Sequence, residues 1–174
     1  MGSHPYFYFT KYQPDVNSAL QALRQQEFEA GRYDPVMNMH NPSMWMFQFN
    51  FPPNAQSISP GARHASIEAA LEDSEDSGTG SILDIQKISD SPEFLASWAL
   101  SADETLALFG TDKPTRQMVE GIIIAGGELD HWEETGYDIW DEFWDTMGRG
   151  ESRYIVLYDN NQPLEIFFIG YSVD

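Results

Sequence analysis

The side chains of this 174-residue chain that could do chemistry are mostly carboxylates, and they are concentrated. Glu68, Glu72, Asp73, Glu75 and Asp76 form one cluster. Glu128, Asp130, Glu133, Glu134, Asp138, Asp141, Glu142 and Asp145 form a second. Residues 1–62 carry a net charge of −1, and residues 63–174 carry −18 of the total −19. Such density sets up a field that speeds encounter with a basic surface and weakens with salt. The second cluster shares its segment with Trp132, Trp140 and Trp144, and tryptophan is a favoured interface anchor. Asp138, Asp141, Glu142 and Asp145 are therefore the candidate contacts for a basic partner, with Trp140 or Trp144 as the anchor if one is exposed. A plainer reading makes the acids a solvated face and puts the tryptophans in the core, because apolar stripes of helices usually point inward.

Two stretches have metal-ligand spacing. Asp73 to Asp84 partly resembles a calcium-binding EF-hand loop, with acids at its first, third and twelfth positions (Asp73, Glu75, Asp84) and Gly78 at the sixth. It departs from that pattern where Gly80 replaces an aliphatic residue, where Asp84 replaces a bidentate Glu, and where Ile82–Ile88 reads as strand. An ordinary acidic turn is the alternative. Glu128 and His131 have the Glu-x-x-His spacing that puts two ligands on one helix face, as in carboxylate di-iron bundles. No second copy exists, so no metal is expected there, and no cofactor is expected anywhere.

His4, His40, His64 and His131 are the only histidines, and none sits in a nucleophile, zinc or phosphate-binding motif. Catalytic groups can still assemble from distant positions. An enzyme or small-ligand protein is thus the second reading, ranked behind a non-catalytic one. Its pocket would lie near residues 35–64, with His40 or His64 beside carboxylates.

Composition excludes more than it selects. The balance of 9 basic to 28 acidic residues argues against direct nucleic-acid binding, which needs a basic face, and against docking on anionic membranes. The chain has no cysteine, so disulfides and thiolate chemistry are out, which fits the cytoplasm. No apolar run is long enough to span a bilayer, and no secretory signal is visible at the start. With 41% hydrophobic and 14% aromatic residues, one packed domain is affordable.

The elements that must position these groups read as a single α+β domain over residues 5–174. Residues 1–4 are set aside as a disordered start or cloning remnant. Residues 5–12 predict a strand. Asp15 caps a helix that buries Val16, Ala19, Leu20, Leu23 and Phe28, turns Arg24 outward, and stops at Gly31. Residues 32–62 form a Pro- and aromatic-rich loop segment, with Phe47, Phe49 and Phe51 alternating as one strand. The Met and Phe side chains of 44–51 belong in a core or an interface. Ser66 to Asp73 is a short helix, 74–80 an acidic flexible turn, and Ile82–Ile88 a strand. Ser101 and Glu104 make a capping box for a helix ending at Gly110. Pro114 opens another helix, and Glu128–Met147 carries an amphipathic one. Arg153–Tyr158 and Leu164–Val173 predict a C-terminal β-hairpin at a sheet centre. The expected architecture is a mixed, mostly antiparallel sheet of four to five strands with helices packed on it. The expected function is a small acidic protein-binding protein of inhibitor or immunity type, docking on a basic partner such as a toxin or nuclease. Calcium binding at 73–84 is a further alternative, and oligomeric state is not legible.

Overall fold

The computed structural model describes residues 3–40, 50–125 and 139–173, with the backbone alone for His40, Ile139 and Trp140. Within them lies one five-stranded mixed sheet in the order β1-β5-β4-β3-β2. Its strands are β1 (Pro5–Lys11), β2 (Lys87–Ile88), β3 (Ala96–Ala99), β4 (Ser152–Asp159) and β5 (Gln162–Tyr171). The β1–β5 and β5–β4 pairs are antiparallel, and β4–β3 and β3–β2 are parallel. The β4–β5 hairpin occupies the centre, as its near-continuous apolar strands demand. Asn160 and Asn161 supply the two positive-φ residues of its tight turn.

The pleat sends alternate side chains to two cores. Tyr6, Tyr8, Ile166 and Phe168 pack with Leu20, Leu23 and Phe28 of α1 (Val16–Ala30), with Ala70 of α3 (Ile67–Asp73), and with Ile82, Leu83 and Ile85. On the opposite face, Trp98, Ile155, Leu157, Phe167 and Ile169 pack with Phe109 of α4 (Ala102–Phe109), Val119 of α5 (Arg116–Val119), and Phe143 and Trp144 of α6 (Ile139–Asp145). The sheet is thus covered by helices on both sides.

The caps are where local chemistry places them. Asp15 accepts from the Asn17 amide at the start of α1. Ser101 and Glu104 complete the capping box of α4, which stops at Gly110. Gly31 ends α1 at φ 72°, and a Cβ there would lie 2.3 Å from the Gly61 carbonyl oxygen. Glycine is needed at that position twice over, for its conformation and for its lack of a side chain.

Several expectations change. Ile82–Asp84 is a 3-10 turn rather than strand, followed only by the two-residue β2. Ser81 captures the Leu83 amide, a local bond that competes with the ladder. Arg24 does not point outward: it is buried, and its guanidinium donates to the Leu83 carbonyl at 2.9 and 3.3 Å. Residues 36–40, expected as loop, form the short helix α2. Pro114 precedes the helix it was expected to open, because Thr115 takes the cap and Arg116 the first turn. That helix widens into a π turn at Glu120–Ile124. The proposed Phe47–Phe51 strand lies outside the described residues except for Asn50 and Phe51, neither of which is in a strand. Phe51 sits in a bend, and its ring meets Tyr8 at 5.2 Å and Tyr6 at 6.3 Å. Of the expected Glu128–Met147 helix, residues 139–147 are described; they are helical over Ile139–Asp145, and the helix stops two residues before Met147.

Candidate functional site

Charge is the feature with the most functional content, and four of the nine Lys and Arg side chains are engaged in ion pairs. Arg32 pairs with Glu27, Lys87 with Glu93, Arg116 with Glu120 and Glu165, and Arg153 with Glu104. None of these carboxylates belongs to the two dense clusters. Glu68, Glu72, Glu75, Asp76, Glu142 and Asp145 are exposed and make no ion pair among the described residues. Asp141 is half-buried and likewise unpaired there. Glu142 and Asp145 stand on the outer side of α6, opposite Phe143 and Trp144. The helix is amphipathic in the ordinary way, with its acids in water because its aromatics occupy the core.

This arrangement divides the proposed contacts. Asp141, Glu142 and Asp145 are brought together on α6. Asp138 lies outside the described residues, and so does the side chain of Trp140. Trp144 is buried, edge-on to Phe7 at 5.8 Å and against Tyr171 at 4.9 Å. It therefore fails the exposure that an anchor requires, because the pleat of β1 and β5 offers its ring an aromatic slot. Asp145 also acts on the sheet below: burial, then its charge, raises the pKa of Tyr171 above the usual value of 10.0.

The calcium-like stretch does not converge. Asp73 ends α3 and faces His64, Glu75 is exposed in the following turn, and Asp84 is buried. Among the described residues no group of three or more His, Asp or Glu side chains is placed to hold a metal. Asp84 turns onto its own loop instead. Its Oδ1 accepts from the Thr79 amide and the Thr79 hydroxyl, both at 2.8 Å. Gly78 is small for the same reason: a Cβ there would lie 2.8 Å from Asp84 Oδ2 and from Val173 Cβ.

Sequence reasoning missed the buried polar groups under α1. Tyr33 accepts from the Arg63 amide at 3.3 Å and bonds His64 Nδ1 at 2.9 Å, while His64 Nε2 meets Asp73 at 3.3 Å. With the Tyr33 hydroxyl as donor, His64 carries its proton on Nε2 and both ring nitrogens are engaged. His64 does sit beside a carboxylate, where it ties Tyr33, just past the end of α1, to Asp73 at the end of α3. Glu27 is held bidentately by Arg32 at 2.7 and 2.6 Å, and Arg32 also reaches Ser59. Burial, then the nearby Glu27 charge, pushes the Tyr8 hydroxyl pKa well up; burial, then Asp84, does the same to Tyr6. The five-residue spacing of Glu27 and Arg32 across Gly31 was the available signal, since a helix stop folds the second residue back over the first.

Comparison with known proteins finds no family model that matches the chain, no curated protein of similar sequence and no solved structure that matches it.

Proposed function

We propose that this chain is a protein-binding protein of inhibitor or immunity type. Its acidic C-terminal two-thirds would capture a basic partner, such as a toxin or nuclease, with Asp141, Glu142 and Asp145 at the contact. Asp138 and Trp140 extend that contact in sequence. One observation carries the reading: Glu68, Glu72, Glu75, Asp76, Glu142 and Asp145 are exposed and make no ion pair among the described residues, while four of the nine Lys and Arg side chains are held by carboxylates outside the clusters. Solvated carboxylates without internal partners keep their attraction for an approaching cationic surface. Phe143 and Trp144 behind them are packed into the core, so the acids are the part of α6 that faces a partner.

The test is affinity capture from the source cells, comparing the natural chain with D141K/E142K/D145K. A basic protein retained at about 0.05 M salt, released near 0.5 M, and lost by the triple variant supports the proposal. Retention of the same partner by the variant, undiminished at both salt concentrations, would sink it.

A further inference from the structure

The two edges of the sheet are built differently. At one edge β2 is only two residues long, and its Lys87 is tied to Glu93. Short, charged edges are how proteins usually prevent strand-to-strand association. At the other edge β1 runs for seven residues, Pro5–Lys11, with proline only at its first position and charge only at its last. Its register with β5 is unbroken from Pro5↔Tyr171 to Lys11↔Glu165.

The hydrogen-bond phase of that ladder decides what faces out. Ser172 donates to the His4 carbonyl and Tyr12 to the Leu164 carbonyl, each at 3.0 Å. Even-numbered residues of β1 therefore form the bonded pairs with β5, and the odd-numbered ones turn their backbone groups away. The amides of Phe7, Phe9 and Lys11 and the carbonyls of Pro5, Phe7, Phe9 and Lys11 have no backbone partner among the described residues. The Phe7 and Phe9 side chains are half-buried.

We propose that two copies of this chain pair antiparallel through their β1 edges, about a two-fold axis at Tyr8, joining the two sheets into one. In that register Phe7 of each copy faces Phe9 of the other, and the two residues exchange both of their outward bonds. The Lys11 amide meets the Pro5 carbonyl, and proline's missing N–H falls at the exposed end of the joint. The segment is thus self-complementary, as a two-fold interface must be. Charge on the strand is compatible with the same place. β1 carries a single charged residue, Lys11, with Glu165 across from it on β5, so the joint sets no carboxylates of β1 against one another, although two copies of net charge −19 still repel overall.

The experiment is sedimentation together with site-resolved amide hydrogen exchange on the full chain, from micromolar to millimolar, at about 0.05 M and about 0.5 M salt. The mass is expected to double with concentration, and the dissociation constant to fall roughly threefold or more as salt screens the repulsion. The Phe7 and Phe9 amides should slow at least about tenfold on association, while those of Tyr6 and Tyr8, already in the β1–β5 ladder, stay protected throughout. Phe9→Pro removes a central outward N–H. Lys11→Pro removes one at an exposed residue, where an edge strand accepts proline. Each should weaken the dimer about tenfold, and Lys11→Pro keeps the test valid if Phe9→Pro fails to fold. A single-copy mass at the highest concentration in both salts overturns the proposal. A dimer whose Phe7 and Phe9 amides exchange as in the monomer overturns it too, as does one indifferent to Lys11→Pro. Salt acts oppositely on capture of a basic partner, so the two proposals fail separately.

Discussion

Among the described residues each face of the sheet holds one buried ion pair, and the two are mirror images in charge. Under α1 the carboxylate is the buried member: the side chain of Glu27 is 1% exposed and that of its partner Arg32 14%. Under α4 and α6 the guanidinium is buried: Arg153 is 3% exposed and Glu104 37%. Their supporting bonds differ as well. Glu27 has, besides Arg32, a 3.3 Å contact from the Gln26 side chain, whereas Arg153 also donates to Thr146 at 2.9 Å and to the Ala99 carbonyl at 3.2 Å. A buried charge is tolerated only while its partner stays in place, so the rim residue controls stability on each face, and the rim residue has opposite sign on the two.

The largest effect follows on the α1 face. Arg32→Met strands Glu27 in the core with little else to hold it, and should cost about 3–5 kcal/mol, the usual penalty for removing one member of a buried pair. Glu27→Gln should cost less, because Arg32 can turn toward water. Urea unfolding of the two variants measures this directly. If Glu27→Gln proves the more damaging, Arg32 rather than Glu27 is the group that cannot be left alone.

The second face should break more gently and with a pH signature. Burial pushes the Glu104 pKa up, but the Arg153 bond and the Ser101 cap outweigh it and hold it below the ordinary 4.5. A carboxylate whose folded pKa is depressed adds stability above its unfolded value, and that stability is lost as pH falls through the folded one. Glu104→Gln is expected to cost about 1 kcal/mol at neutral pH, a figure reduced for solvent screening at this half-exposed site. Below pH 4.5 its stability should converge on that of the natural chain. Parallel curves at all pH values would remove the ion pair from the explanation and leave only packing.

These pairs also mark the boundary of what the chain discloses before it folds. The α1 and α4 helices were readable because Asp15, Gly31, Ser101 and Glu104 act within one turn of themselves. The β4–β5 hairpin was readable for the same reason, through Asn160 and Asn161. β3 was not, since Ala96–Ala99 is four residues long and is defined by parallel partners more than fifty residues away on β4. Arg24 looked like a surface residue because helical spacing cannot foresee a carbonyl at Leu83 waiting beneath it. The candidate contact divides along the same line. Net charge survives folding unchanged, so the acids of α6 could be named from sequence. The burial of Trp144 depends on the slot between Phe7 and Tyr171, which only the assembled sheet creates.

The smallest expected effect separates these internal carboxylates from the surface ones. Glu142 and Asp145 are exposed and have no ion-pair partner among the described residues. Reversing both to lysine should therefore change unfolding stability by no more than about 0.5 kcal/mol. The sign should be stabilising at low salt, since the substitution relieves part of the repulsion within a −19 chain. Raising salt from about 0.05 M to about 0.5 M screens the same repulsion, so the natural chain should gain more from salt than the variant does. Urea midpoints for both at the two salt concentrations give the comparison. A loss above about 1 kcal/mol would mean these acids have folding work beneath the surface, as Glu104 does. In that case loss of partner capture by a charge-reversed chain could no longer be attributed to the contact. A near-zero change makes that attribution sound, because the face would then be one the fold does not require.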